Sequence, residues 1–237
     1  MFKGYAVIAS VSEKKDGSMK VYADNSEEDV IAKNRAAFLR KSGVDEKRSV
    51  GAYLVHSSNI TRVGKGDGGK FFEATDGFVT DEKGIFLTVT VSDCLPVFLF
   101  DPKAEVVALA HAGWGGLEGK IITKALDEMG RLGASAPDIL AVIGPGLGKL
   151  HYEVGSELVE KFSHIPGATE TENGKFFLDI KKIALSQLID GGVSRKNIEI
   201  SAEDTFQEKD KYFSYRRDSY GDPHNIQSML AVFGMKK

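Results

Sequence analysis

Three side chains of metal-ligand type stand where apolar runs give way to polar or glycine-containing segments: His56, Cys94 and His111. Two imidazoles and a thiolate suit zinc, and three protein ligands leave a fourth position for water. Water on such an ion ionises near neutral pH and becomes a nucleophile. The spacing is not a compact signature, since His56 lies far from Cys94. Cys94 is the chain's one cysteine, so an intramolecular disulfide is impossible. Two readings stand for it, a buried structural thiol or a catalytic or metal-binding one. As a ligand it must be a thiolate, a state that the ion itself would induce.

These residues depend on the elements around them. Strands are expected over Tyr5–Val11, Met19–Tyr22 and Ala52–His56, the last closing on His56. Ser26 ahead of Glu27, Glu28 and Asp29 reads as a helix start, and Val30, Ile31, Asn34, Ala37, Phe38 and Leu39 follow at helical spacing up to Gly43. Gly64–Gly69 reads as a flexible surface loop, because no Lys-Ser/Thr helix start follows to make it a phosphate loop.

Next come Gly77–Thr80, Ile85–Val91, Leu95–Phe100 and Val106–Ala110, continuous rather than alternating apolar runs of the kind buried on both faces. Cys94 falls between two of them, and His111 follows a third. Residues 113–116 are expected to turn the chain into a helix over about Leu117–Gly130, with Ile121, Ile122, Ala125, Leu126 and Met129 as its apolar stripe. Strands at Ile139–Ile143 and Ile198–Ile200, helices near Gly155–Phe162 and over Ile180–Asp190, and a closing strand at Met229–Phe233 complete an α/β pattern. No repeat or linker divides it, so residues 1–237 read as one domain.

With 237 residues, 42% hydrophobic and 27% charged, the chain can bury a core without a structural metal. Any ion is therefore expected to act rather than to hold the fold. The net charge of -3, with no dense basic patch, argues against a nucleic-acid or membrane partner. No apolar run spans a bilayer and the N-terminus has no signal-peptide pattern, so a cytoplasmic location is expected.

In order along the chain stand Leu54-Val55-His56-Ser57, Asp76-Gly77-Phe78-Val79-Thr80, Ser92-Asp93-Cys94-Leu95-Pro96, His111-Ala112-Gly113-Trp114-Gly115-Gly116, Ile143-Gly144-Pro145, Tyr152-Glu153-Val154-Gly155 and Ser214-Tyr215-Arg216-Arg217. Their order resembles the laccase-domain family, also described as multicopper polyphenol oxidase-like, peptidoglycan editing factor or purine nucleoside phosphorylase proteins. Its pattern runs Gln-Val-His-Gly, Asp-Ala-x-Val-Thr, Ala-Asp-Cys-x-Pro, His-Ala-Gly-Trp-Arg-Gly, Ile-Gly-Pro, Tyr-Glu-Val-Gly, Ser-Tyr-Arg-Arg.

The resemblance implies a four-layer α/β/β/α sandwich with mixed sheets. It also implies a metal site of His56, Cys94 and His111, and a small-molecule substrate, a purine nucleoside, with phosphate as a possible co-substrate. Asn34-Arg35 matches an Asn-Arg pair on the family's first helix, which makes Arg35 a candidate substrate ligand. Asp93 beside the ligand cysteine becomes a candidate acid/base if the chain kinks before Pro96.

Two departures stand out. Gly115 replaces an arginine suited to an anion, and the family's Gly-Arg after Arg217 is missing. Both weigh against phosphorolysis more than against hydrolytic deamination. The leading reading is a zinc-dependent purine nucleoside enzyme, with Cys94, Asp93 and His151 as candidate catalytic residues. The alternative is a copper-dependent polyphenol oxidase, although no methionine stands next to a ligand as a weak axial donor. A third reading is a metal-stabilised interaction protein. Trp114 is either a platform for the purine or core. Arg216 and Arg217 either clamp an anion or are solvated. His151 is a candidate pocket residue, while His164 and His224 read as loop residues and Asp76 as a turn former. The oligomeric state is left open by the sequence.

Overall fold

The computed structural model describes residues 1–21, 27–222 and 225–237. Tyr22, the Ser26 helix start and His224 lie outside the described residues. In chain order the elements are β1 (Val7–Val11), α1 (Glu28–Lys41), β2 (Ser49–Tyr53), β3 (Ile60–Arg62), β4 (Phe71–Glu73), β5 (Gly77–Thr80), β6 (Phe86–Val91), β7 (Leu95–Asp101), β8 (Val106–Ala112), α2 (Trp114–Glu118) and α3 (Ile121–Arg131). They continue as β9 (Leu140–Ile143), β10 (Glu153–Val154), α4 (Ser156–Phe162), β11 (Thr169–Glu172), β12 (Lys175–Leu178), α5 (Ile180–Asp190), β13 (Ile198–Ile200) and β14 (Met229–Met235).

Two mixed sheets stack at the centre. One has the order β1-β14-β6-β2-β4 and the other β13-β9-β7-β8-β5-β3, while β10-β12-β11 form a small third sheet. Successive residues of β8 point into different cores. Val106, Ala108 and Ala110 pack with Ile121, Ile122 and Met129 of α3 and Ile183 and Leu188 of α5. Val107 and Leu109 face the other sheet, against Leu87, Val89, Ala231 and Phe233. On that sheet's far face, Phe86, Leu230 and Val232 pack under Phe38 and Leu39 of α1. The layers therefore run helix, sheet, sheet, helices. Unalternating apolar strands follow directly, because each central sheet is covered on both faces.

Several local expectations change. Met19–Val21 form no strand, and Met19 instead packs beneath α1. Val30 is exposed, so the buried stripe of α1 is Ile31, Phe38 and Leu39. Gly43, at φ +79°, ends that helix as expected. The 64–69 loop is tied to the sheet, since Gly69 N–H donates to the Ser49 carbonyl and Gly64 N–H to Asp67. Residues 114–118 are already helical. The break comes one turn later, at Lys120 in the left-handed region, before α3 carries the expected buried stripe. Strand β2 stops at Tyr53, short of His56, because the next amides find a side-chain acceptor described below. Among the described residues no helix is long and apolar enough to cross a membrane.

Candidate metal centre

His56 reaches the site through a loop rather than a strand. The buried Asp76 carboxylate accepts N–H bonds from Val55 at 3.2 Å, His56 at 2.8 Å and Ser57 at 2.7 Å, and the Ser57 hydroxyl at 2.7 Å. One carboxylate thus replaces the strand ladder and holds His56 in a left-handed conformation, φ +56°. The turn role expected for Asp76 is what it performs. Cys94 sits in the short link between β6 and β7, and His111 is the penultimate residue of β8. A ligand atom from each of His56, Cys94 and His111 lies within 4.8 Å of the other two.

Glycines make this approach possible. A Cβ on Gly113 would stand 2.7 Å from Cys94 Sγ, and one on Gly115 would stand 3.0 Å from the His56 carbonyl oxygen. The chain after His111 therefore passes hard against the other two donors.

The donor set fits a dication. His111 Nδ1 lies 2.8 Å from the Thr90 carbonyl, which fixes that nitrogen as the donor. Nε2 is left buried with no partner among the described residues. Such a bare nitrogen is what an ion bonded at roughly 2.0–2.1 Å requires. Burial, then the neighbouring His56, hold the His111 imidazole down to about 4, so its ring is uncharged at neutral pH. Burial, then the Asp93 and Asp76 charges, push the Cys94 thiol up to about 12. A cation held among these atoms would reverse the pressure on the thiol and favour its thiolate.

The cluster lies on the wall of a cavity of about 700 Å³, well within the size range of small-molecule sites. Trp114, Tyr152, Tyr215 and Tyr220 supply aromatic wall, with Arg216 beside them. Trp114 is 40% exposed, at the cavity's edge rather than in the core, with Lys161 Nζ 5.5 Å from its ring centre.

The two adjacent arginines divide. Arg216 lies over the rings of Tyr152 and Tyr220, at 5.3 and 4.7 Å, and donates from Nη1 to the Glu153 carbonyl. Arg217 is outside the cavity lining and donates to the carbonyls of Thr205, Phe206 and Tyr212 and to Asp218. Arg35 is also outside it, donating to the Met19 carbonyl and lying 5.2 Å from the Phe71 ring centre. His151 too lies outside the lining, paired with Asp204 at 2.6 Å and stacked on Phe206.

The chain does bend at Asp93, with φ +79°. Asp93 lines the cavity, and its carboxylate accepts from Thr205 Oγ1 at 2.6 Å, Ser214 Oγ at 3.1 Å and Arg216 N–H at 2.7 Å. Asp93 thereby anchors the single π-helical turn Tyr215–Ser219, which carries Arg216 to the cavity. Burial raises its carboxyl above the ordinary range, against these hydrogen bonds. Sequence reasoning assigned no role to Lys20, Tyr152, Tyr215 or Tyr220, which all line the cavity. Tyr152 and Tyr215 belong to two of the family's blocks, and Tyr220 belongs to none.

A layered α/β fold with this donor cluster defines a class, and the comparisons name it. The family described as multi-copper polyphenol oxidoreductase laccase matches residues 9–227, and the chain belongs to that family. Purine nucleoside phosphorylase YlmD of Bacillus subtilis (strain 168) is 30% identical over 244 residues, covering 96% of this chain and 85% of that one. Adenosine deaminase RL5, from an unknown prokaryotic organism, is 34% identical over 151 residues, 61% of this chain and 58% of the other. The crystal structure of YlmD from Geobacillus stearothermophilus matches with a TM-score of 0.88 at 28% identity, covering 98% of this chain and 93% of that one.

Proposed function

We propose that this chain, acting as one domain over residues 1–237, is a zinc-dependent purine nucleoside enzyme whose main reaction is hydrolytic deamination of adenosine to inosine and ammonia. The observation that carries the reading is the junction of three metal-type donors with an aromatic-walled cavity at one place. His56, Cys94 and His111 would hold the ion, which supplies a Lewis acid able to ionise water near neutral pH. Trp114 and the tyrosines offer flat apolar faces to a base. The relatives named purine nucleoside phosphorylase and adenosine deaminase support the substrate class.

Deamination is favoured over phosphorolysis because the anion equipment is sparse. Gly115 stands where the family pattern has arginine, and of Arg35, Arg216 and Arg217 only Arg216 lines the cavity. The test follows loss of adenosine and inosine with and without phosphate on metal-quantified protein. Adenosine should be consumed without phosphate. A strict phosphate requirement overturns the deaminase reading and makes Arg216 the candidate anion ligand. A copper-loaded sample offered a phenol tests the oxidase reading, which lacks support from an axial thioether: no methionine lines the cavity among the described residues.

A further inference from the structure

Hydrolytic deamination puts a proton on the purine ring as water adds to the carbon bearing the amine, and a positioned side chain commonly supplies it. The acids expected from the sequence do not. The Asp93 carboxylate is taken up by Thr205, Ser214 and the Arg216 amide, and His151 lies outside the cavity lining. Of the other charged groups on the wall, Lys20 is ion-paired with Glu27 at 2.6 Å and Glu153 with Lys175 at 2.8 Å. Arg216 keeps its proton at any working pH.

Three tyrosines remain, and they are not equivalent. Tyr215 and Tyr220 meet edge to face with ring centres 6.0 Å apart, and Tyr220 is 68% exposed. Tyr152 is held deeper, on the wall it shares with His56, Cys94 and His111. Its amide donates to the Lys149 carbonyl and its carbonyl accepts from Leu178 N–H, so its backbone is fixed from both sides. The Arg216 guanidinium lies 5.3 Å from its ring centre. The Tyr152 phenol oxygen has no partner among the described residues and is not closed off from solvent. Burial, then the nearby Cys94 thiol, push the phenol up, so it stands beside the donor cluster as a neutral O–H.

We infer that Tyr152 is the catalytic acid of the deamination, its phenol O–H directed to N1 of the bound adenine. This inference rests on the purine nucleoside reading above and adds a named acid to it. N1 adjoins the reacting carbon, C6, and in adenine it is a pure acceptor, complementary to a phenol donor. As the water oxygen bonds to C6, the C6–N1 π pair moves onto N1, which takes the phenol proton. One proton of the water returns the tyrosine to its neutral form. The other passes to the amine, which leaves as ammonia as the C6 carbonyl of inosine forms. The tyrosine ends as it began, and no further reactant is needed.

The experiment compares the parent with Tyr152→Phe for zinc content and melting temperature, then for kcat and KM on adenosine. It adds inhibition by purine riboside and 1-deazapurine riboside, neither of which has an amine to lose. Phenylalanine keeps the ring beside Arg216, so the variant is expected to fold and to hold its zinc. Its kcat should fall about a hundredfold, the size of one lost acid, with a smaller change in KM. The parent should bind purine riboside about tenfold more tightly than the 1-deaza analogue, and Tyr152→Phe should bind the two alike. A tyrosine with only a structural role would weaken both ligands equally. An unchanged kcat, a preference for N1 that survives in Tyr152→Phe, or loss of zinc from that variant overturns the assignment. A parent enzyme that neither binds nor converts adenosine overturns the purine reading and this acid with it, a result visible before the variant is compared.

Discussion

The Nδ1 of His111 lies 2.8 Å from the carbonyl oxygen of Thr90, and this one contact decides which ring nitrogen faces His56 and Cys94. Nδ1–H donates to a backbone oxygen on β6, so Nε2 is presented bare. Purified protein is accordingly expected to hold about one zinc per chain. Cys94→Ala should lose it while the circular dichroism spectrum and cooperative melting persist, because the layered core needs no metal. Elemental analysis decides the matter, and full zinc occupancy in Cys94→Ala would falsify the proposed donor set.

Asp76 fixes the backbone of His56, a candidate donor, without being one of the candidate donors itself. Its carboxylate takes three successive amides and the Ser57 hydroxyl, so Asp76→Ala leaves four donors without their acceptor. Hydrogen bonds to charged groups contribute more than neutral ones, and a loss of about 3–5 kcal/mol in stability is expected. Zinc affinity should fall roughly 10–100-fold as His56 loses its fixed position. Urea unfolding and chelator competition measure the two effects separately. Unchanged zinc affinity in a folded Asp76→Ala protein would show that Asp76 does not position a zinc ligand.

Asp204 is held in a different manner from the site carboxylates. Burial pushes its carboxyl up, but the Gly148 amide, His151 and the Phe206 amide together outweigh that and hold it below the ordinary carboxylate value. A depressed carboxyl contributes stability above its unfolded value of about 3.9 and loses it as pH falls through the folded value. Asp204→Asn should therefore melt below the parent at neutral pH, with the difference closing as pH drops below the unfolded value of about 3.9. Melting curves across that range test it, and a difference that widens on acidification would contradict the assignment. Adenosine turnover should survive the change, since neither Asp204 nor His151 lines the cavity.

Much of the architecture was legible along the chain. The runs at 77–80, 85–91, 95–100 and 106–110 are apolar without alternation, and only strands covered on both faces read that way. The α3 stripe of Ile121, Ile122, Ala125, Leu126 and Met129 is buried as its spacing requires. Cys94 and His111 stand at or near strand ends, so their closeness follows from the pairing of β7 with β8, where Pro96 lies opposite His111.

What the sequence by itself determined is therefore the α/β class with central strands covered on both faces, because that is written in residue type and local period, while the four layers and the candidate donor set were implied by the family resemblance. The tertiary structure alone decided which polar groups face the cavity. Arg216 and Arg217 are neighbours of one type, and the carbonyls of Thr205, Phe206 and Tyr212, with the Asp218 carboxylate, hold Arg217 away from the cavity. His151 was lost to Asp204, 53 residues distant, and Asp93 was claimed by Thr205 and Ser214, 112 and 121 residues distant. Local periodicity carries no record of such partners. A side chain's direction in a folded core is set by whichever donor or acceptor the packing brings within about 3 Å of it, and that depends on the whole chain at once.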